Sequence, residues 1–218
     1  MMENKLLLIG GGGHCHSVID SALSAGVYTK IGVVAKDQDN YNELTADTFL
    51  APFLIGIDND LSKLYANGWN CAFVSLGSVG DTRGRRILYK AISDLGFELP
   101  TIIDPSAIVS GQAIVEKGAF IGKRAVINTG SKVGVCSIIN TGAIIEHDCI
   151  VGDFVHISPC ATLCGQVSVG NDSHIGSGSV VRQCINIGAK SLVGAGSVVV
   201  KDIPDSVKAY GNPCRVVE

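Results

Sequence analysis

A run of aliphatic residues at every sixth position constrains this chain more than any other feature. From Val109 to Val199, sixteen consecutive positions at this spacing hold Val, Ile or Leu, with no insertion. Two residues before these positions small side chains recur, as at Ala107, Ala113 and Ser131. A period of six fits neither a helix nor a simple strand and is typical of a parallel β-helix. The sequence therefore predicts a hexapeptide solenoid in which three repeats close a triangular coil and successive coils stack about 4.8 Å apart.

The first hundred residues follow another pattern, in which strands alternate with helices. The apolar runs typical of buried strands are Leu6–Ile9, Ile31–Val34 and Cys71–Leu76. Helices are predicted from His16 to about Ala25 and from about Asp81 to Leu95. This alternation predicts an α/β domain with a Rossmann-like βαβ arrangement over residues 1–104, followed by the solenoid domain over residues 105–218.

A glycine-rich loop joins the first strand to the first helix. It consists of Gly10, Gly11, Gly12 and Gly13. Such a loop lets a phosphate group approach the backbone amides and the N-terminus of the helix. Cys15 and His16 stand where the dinucleotide fingerprint requires its third glycine, so bound NAD is not expected. The loop therefore predicts a phosphate site, with a plain tight turn as the alternative.

Two polar residues near this loop are candidate ligands of a nucleotide. His14 flanks the loop, and its ring is able to hydrogen-bond a pyrophosphate. Asp37 follows the second strand, where an acid often contacts a ribose or a base. A solvated histidine and an ordinary surface charge in the polar run 36–40 are the alternatives.

His147 is the candidate for chemistry in the solenoid. It lies two residues after the aliphatic position Ile145, at a predicted corner, and an acid stands on each side of it, Glu146 and Asp148. Either acid would orient the imidazole and raise its basicity. Gly165, one coil later, has no side chain to block a small acyl group, and its N–H is able to face an acyl oxygen. On the pattern alone, a surface histidine between two acids remains the alternative.

Charge and cysteine content exclude several classes of function. The net charge is −3 and no basic cluster occurs, so nucleic acid is not an expected partner. The longest apolar runs are strand-sized, and neither a membrane span nor a secretion signal is predicted. Eight cysteines without a C-x-x-C pair are typical of free thiols in a reducing cytoplasm, so a cytoplasmic protein is expected. Cys149 occupies a small-residue position and is predicted to pack inside the coil.

Two further histidines raise the question of a metal. His156 and His174 are separated by three hexapeptides, which is one full coil, so they stack on one face of adjacent coils. A catalytic zinc needs three protein ligands, and His147 is half a coil away from His156. No metal site is therefore expected within one chain, whereas a site shared across a subunit interface stays open.

The motifs together resemble the NeuD/PglD-like sugar acyltransferases. The resemblance rests on the glycine-rich N-terminal domain, the hexapeptide solenoid, the string Asn140-Thr141-Gly142-Ala143-Ile144-Ile145-Glu146-His147-Asp148-Cys149 and the ending Gly211-Asn212-Pro213-Cys214-Arg215. It covers essentially the whole chain. It implies a left-handed coil, although crossovers between parallel strands are usually right-handed. It also implies a homotrimer with coenzyme A between neighbouring solenoids. Outward apolar residues support such an interface: Ile108, Ile114, Phe120, Val126, Ile138, Ile144 and Ile150.

The same resemblance implies roles for single residues. His147 is expected to be the general base, supported by Asp148, with Asn140 near the amino sugar. His156 is expected near the thioester of acetyl-CoA, and the glycine loop is expected to hold the nucleotide. The implied reaction is direct transfer of an acetyl group from acetyl-CoA to the amine of a UDP-4-amino-sugar type of substrate. Acetylation of a sialic acid hydroxyl, or a non-catalytic scaffold that binds nucleotide sugars, are the alternatives.

Overall fold

The computed structural model describes residues 4–217 and separates the chain into two compact units. The first unit comprises Met1–Gly77 with Arg83–Ile102, and the second comprises Ser78–Thr82 with Ile103–Glu218. The ends of the two predicted domains, residues 1–3 and 218, lie outside the described residues. Ser78–Thr82 groups with the second unit, although the predicted boundary assigned it to the first.

The first unit is built on a parallel sheet of four strands in the order β3-β2-β1-β4. The strands are β1 (Lys5–Ile9), β2 (Lys30–Ala35), β3 (Leu54–Ile57) and β4 (Cys71–Val74). The helices are α1 (Gly13–Ala25), α2 (Gln38–Leu44), α3 (Leu61–Ala66) and α4 (Arg83–Asp94), with short 3-10 turns at Ala51–Phe53 and Asp58–Asp60. Leu6–Ile9 is fully buried because the central strand of a parallel sheet is covered on both faces. The carboxyl ends of the strands meet at one edge, where Gly10, Asp37 and Asp58 follow β1, β2 and β3.

Helix α1 begins earlier than predicted. It starts at Gly13 rather than near His16, and Gly12 is its N-cap in an extended conformation. The sequence favoured a later start because glycine is a poor helix former, yet the first turn tolerates it. Within the loop, Gly10 alone has a positive φ, of 103°, so it is the position whose backbone requires glycine.

The second unit is a left-handed parallel β-helix of stacked triangular coils, as predicted. The first face carries β5 (Ile102–Ile103), β8 (Phe120–Ile121), β11 (Ile138–Ile139), β14 (His156–Ile157), β17 (His174–Ile175), β20 (Leu192–Val193), β22 (Lys208–Gly211) and β23 (Cys214–Val216). The second face carries β6 (Ile108–Val109), β9 (Val126–Ile127), β12 (Ile144–Ile145), β15 (Thr162–Leu163), β18 (Val180–Val181) and β21 (Val198–Val199). The third face carries β7 (Ile114–Val115), β10 (Lys132–Val133), β13 (Ile150–Val151), β16 (Ser168–Val169) and β19 (Asn186–Ile187).

The predicted aliphatic positions form the inside of the coil. Side chains from Ile121 to Val199 at this spacing are at most 3 % exposed, while Val109 and Val115 are partly buried at the first coil. Cys149 is fully buried, which confirms its predicted inward position. Successive faces are joined by four-residue corners. The first corner, between the first and second faces, includes 140–143 and 158–161; the second, between the second and third faces, includes 128–131, 146–149 and 164–167.

The outward apolar residues do not form one stripe. They are divided among all three faces, and their exposure differs accordingly. Ile108, Ile114 and Ile150 are 67 %, 50 % and 52 % exposed, whereas Phe120 and Ile138 on the first face are buried. The prediction placed all seven residues on outward faces that would pack against a neighbouring copy, whereas Phe120 and Ile138 are already buried within one chain.

Candidate functional site

His147 and Asp148 form a hydrogen-bonded pair at the second corner. The distance between His147 Nδ1 and Asp148 Oδ2 is 3.0 Å, and both side chains are about half exposed. Asp148 adopts a positive φ of 58°, which Asp tolerates better than most residues, and this turns its carboxylate beside the imidazole. Glu146 contacts the backbone instead, since its Oε2 lies 3.4 Å from the His147 amide. With Nδ1–H donated to Asp148, the lone pair of Nε2 is left for another partner.

Two glycines in neighbouring coils leave room for this pair. A Cβ built on Gly165 would lie 2.5 Å from His147 Nε2 and 2.6 Å from its Cε1. A Cβ built on Gly130, one coil before Asp148, would overlap Asp148 Oδ1. The predicted reason for Gly165 was space for an acyl group; the structure adds that the imidazole ring itself lies over this glycine. Gly130 was missed, although its separation from Asp148 by one full coil was visible in the sequence.

A buried serine fixes the corner that carries the pair. Ser131 Oγ donates to the Glu146 carbonyl at 2.6 Å and accepts from the Cys149 amide at 3.0 Å. Its side chain is completely buried, and it therefore ties both ends of the turn that holds His147 and Asp148. The small-residue pattern treated Ser and Ala as equivalent, so sequence reasoning did not single this residue out.

Asn140 and His156 form a second group, at the first corner and the first face. Asn140 Nδ2 lies 3.2 Å from His156 Nε2, and His156 Nδ1 lies 2.8 Å from the Ser78 carbonyl. Because a carbonyl only accepts, Nδ1 carries the proton and Nε2 accepts from the amide. His174 packs edge-on against His156, with 4.9 Å between ring centroids, which confirms the predicted stacking of these histidines.

His174 is held uncharged. It is 7 % exposed, its Nε2 lies 3.1 Å from Ser158 Oγ, and its Nδ1 has no hydrogen-bond partner among residues 4–217. Burial, with a smaller contribution from His156, lowers the pKa of His174 from 6.5 to about 4. A cavity of about 380 Å³ opens beside these histidines and is also lined by Val79, Pro159 and Ser177.

The structure does not bring the two groups together within one chain. His147 lies on the second corner, whereas Asn140 lies on the first corner and His156 on the first face. The second face, with strands such as β12, stands between them.

The first unit contains a cavity of about 650 Å³ at the carboxyl ends of its strands. Its lining comprises Gly10, Gly11, Gly12, Lys36, Asp37, Asp39, Asn40, Glu43, Asp58, Leu76, Gly84, Ile87 and Leu88. A Cβ at Gly12 or Gly13 would meet nothing within 4 Å, so packing does not require glycine at either position. The volume is within the usual range for a small-molecule site. Neither Gly13 nor His14 is among the lining residues, and His14 Nε2 is buried.

Two aspartates stand at the end of this cavity near β2 and β3. Asp37 caps α2 by accepting from the Asn40 amide at 2.9 Å, and its other oxygen lies 3.7 Å from Lys36 Nζ. Asp58 was missed because the sequence reading assigned no element between residues 40 and 70. Burial and the negative charge of Asp37 raise the pKa of Asp58 to about 6, against the opposing effect of Lys36.

The described part of the chain offers neither a membrane span nor a metal-binding cluster. None of its helices is long and apolar enough to cross a membrane. Residues 4–217 contain no group of three or more His, Cys, Asp or Glu side chains placed to hold a metal ion.

Comparison with known proteins gives matches over both units. The family model described as the PglD N-terminal domain matches residues 5–92. PerB from Caulobacter crescentus, solved with CoA and GDP-perosamine, is 37 % identical, with a TM-score of 0.88 over 99 % of this chain and 98 % of that one. The acetyltransferase domain of PglB from Neisseria gonorrhoeae, solved with acetyl coenzyme A, is 35 % identical, with a TM-score of 0.87 over 99 % of this chain and 100 % of the other.

A third match supports the fold alone. WeeI from Acinetobacter baumannii is 18 % identical, with a TM-score of 0.84 over 97 % of this chain and 99 % of that one. The matches to PerB and to PglB, in contrast, combine substantial identity with coverage of nearly the full length of both partners. The chain therefore belongs to the PglD/NeuD-like family of sugar acetyltransferases.

Proposed function

We propose that this protein transfers the acetyl group of acetyl-CoA to the amine of a nucleotide-linked amino sugar. The observation that carries the proposal is the His147–Asp148 pair, with its base nitrogen over Gly165, in a chain 37 % identical to an enzyme solved with CoA and GDP-perosamine. A perosamine N-acetyltransferase in which a histidine is replaced by asparagine is also among the similar structures. These relatives favour an amine acceptor over a hydroxyl.

His147 acts as the general base. Its Nδ1–H donates to Asp148, which fixes the tautomer and leaves Nε2 to accept a proton from the attacking amine. The amine nitrogen forms a bond to the thioester carbon, and collapse of the tetrahedral intermediate releases the coenzyme A thiolate. The Gly165 N–H is the candidate donor to the oxyanion of that intermediate.

The first unit binds the nucleotide. Gly10 donates its N–H to the Val34 carbonyl at 3.0 Å, so the candidate donors to the diphosphate are the backbone N–H groups of Gly11, Gly12 and Gly13, where α1 begins. The first amides of a helix have no partner within it. Asp37 is the candidate for a contact with the ribose. Binding energy gained at the nucleotide then positions the sugar amine at the base.

Acetyl-CoA is proposed to occupy the cavity beside His156 and His174, with the thioester near His156. Because Asn140 and His156 lie away from His147 within one chain, a complete site needs a second copy. We therefore propose a homotrimer in which neighbouring solenoids share each site, and a cytoplasmic enzyme. The exposed Ile108, Ile114 and Ile150 support burial against another copy.

The main test is a panel of nucleotide-linked amino sugars and matched hydroxyl sugars, assayed with acetyl-CoA by release of free thiol. Wild-type protein is expected to release thiol only with an amino sugar, and His147→Ala should lower kcat by about 10²- to 10⁴-fold. Thiol release by the variant at the wild-type rate, with folding and oligomeric state preserved, would remove His147 from the mechanism.

The shared site has its own test. Variants His147→Ala and His156→Ala are each expected to be inactive, but refolding them together should restore about a quarter of wild-type activity, because one site in four then receives both histidines. No recovery in mixed trimers, verified by mass, would refute sharing of the site.

A further inference from the structure

The acidic end of the nucleotide cavity contains one carboxylate whose role the proposed function leaves open. Asp58 follows β3 and lines the cavity together with Asp37 and Asn40. It is half-buried, and no hydrogen bond reaches its carboxylate from any described residue. Asp37 differs, because one of its oxygens accepts the Asn40 amide and the other faces Lys36. Asp39 and Glu43 also line the cavity but are exposed, so Asp58 is the half-buried carboxylate of the lining whose two oxygens are both left for a ligand.

An ionised carboxylate only accepts hydrogen bonds, so it selects a ligand that presents N–H donors. Its neighbourhood strengthens this preference, since Asp37, Asp39 and Glu43 also line the cavity and Lys36 is the one basic side chain in the lining. A ligand group that brings acceptors to this end would meet a net negative charge, because Lys36 is opposed by four carboxylates of the lining. Two adjacent donors, in contrast, would form a bidentate, charge-assisted pair with both oxygens.

The four common nucleobases differ in this respect. Guanine presents N1–H and an N2 amino group side by side, which match the two oxygens of one carboxylate. Uracil presents a single N3–H between two carbonyl oxygens, and both oxygens would be repelled. Adenine and cytosine place an amino donor beside a ring acceptor, which only a protonated carboxyl would match.

We propose that Asp58 selects a guanine nucleotide sugar by accepting both N–H donors of the guanine edge. This inference rests on the proposed function, because it assumes that the cavity holds the nucleotide of the substrate. It replaces the uracil of the UDP-linked substrate that the sequence resemblance implied. The apolar lining residues Leu76, Ile87 and Leu88 supply a surface suited to a nucleoside.

Direct binding measurements on the wild-type protein test this without a variant. By calorimetry with GDP, IDP, ADP and UDP, GDP should bind best and UDP at least about 100-fold more weakly, since mispaired polar groups are rejected strongly. IDP lacks the N2 amino group and should bind about tenfold more weakly than GDP, through loss of one charge-assisted hydrogen bond. Equal affinity for GDP and UDP, or tighter binding of UDP, would overturn the inference.

Asp58→Asn supplies a second, independent readout. An asparagine amide accepts from one N–H and donates to one carbonyl, which matches xanthine rather than guanine. The variant is therefore expected to lose about 100-fold in GDP affinity and to bind XDP more tightly than GDP. Asp39→Asn is the matched control, because it removes the same charge from an exposed residue lining the same cavity but leaves both Asp58 oxygens in place. GDP should therefore remain the tightest-bound nucleotide in this variant, with XDP weaker than GDP. If both variants change the affinities for all nucleotides alike, Asp58 acts only through its charge and the inference is wrong.

The outcomes separate this inference from the proposed function. Failure of every nucleoside diphosphate to bind would refute the nucleotide site itself. Binding without preference for guanine, together with thiol release from acetyl-CoA, would leave the acetyltransferase proposal standing and remove only the role of Asp58.

Discussion

Replacing Gly165 with alanine tests whether the activity depends on the position of the His147 ring. The added Cβ would lie 2.5 Å from Nε2 and 2.6 Å from Cε1, whereas the favourable distance between nonbonded heavy atoms is about 3.5 Å. The ring must therefore retreat by about 1 Å, either by tilting about its 3.0 Å hydrogen bond with Asp148 or by losing that bond. A displacement of about 1 Å in a reacting group costs on the order of 10²-fold in rate.

We therefore expect Gly165→Ala to lower kcat by about 10²-fold while the affinity for the nucleotide is unchanged. The assay is steady-state thiol release with saturating acetyl-CoA, accompanied by calorimetry with the nucleoside diphosphate. Gly165 does not have a positive φ, so alanine fits its backbone and the coil should remain folded.

Gly111→Ala is the matched control. Gly111 occupies the same corner as Gly165, three coils earlier, and a Cβ there meets nothing within 4 Å. Its kcat should remain within about twofold of wild type. If Gly165→Ala also retains wild-type kcat, the position of the imidazole over this glycine has no importance for catalysis.

Three further outcomes follow from the described contacts. Ser131→Ala should lower kcat with little change in KM, because it releases both ends of the turn that carries His147. Ser137→Ala removes the same pair of hydrogen bonds from another corner and should leave kcat unchanged. Since folded His174 stays neutral and its unfolded form titrates near pH 6.5, unfolding free energy should fall as pH drops from 6.5 towards 4, by up to about 3 kcal/mol. His174→Asn should flatten this part of the pH profile measured by denaturant unfolding; a profile identical to wild type would contradict the assignment. Burial raises the pKa of Cys15 to about 12, so iodoacetamide should modify it only after unfolding, whereas exposed Cys160 should react in the native protein, as peptide mass mapping would establish.

The solenoid was predictable because its packing is periodic. Every inward position has the same surroundings, so the chain repeats an aliphatic residue at each sixth position. This repeat is enough to locate the corners and to show which residues lie one coil apart. The same periodicity placed His147 over Gly165 and His156 beside His174.

Parts of the structure that no sequence repeat marks were not predicted. The region from α2 to α3 is short-helical and polar, with Asp37 as a cap and Leu54–Ile57 as its strand, and no repeat marks it. Asp58 lies there, so the carboxylate with the altered pKa was not anticipated. Phe120 and Ile138 point outward from the coil, and their burial depends on what covers that face. The hexapeptide repeat carries information about the inside of the coil and therefore did not predict this burial.

The separation of His147 from Gly165 by three hexapeptides also limits how such a chain is able to change in length. Removal or insertion of one residue between them would shift every later side chain to a neighbouring slot, turning inward groups outward and leaving the imidazole above a bulky corner. Addition or removal of one complete coil elsewhere, in contrast, would leave the neighbours of the histidine unchanged. The solenoid is therefore expected to change in length by whole coils of three hexapeptides.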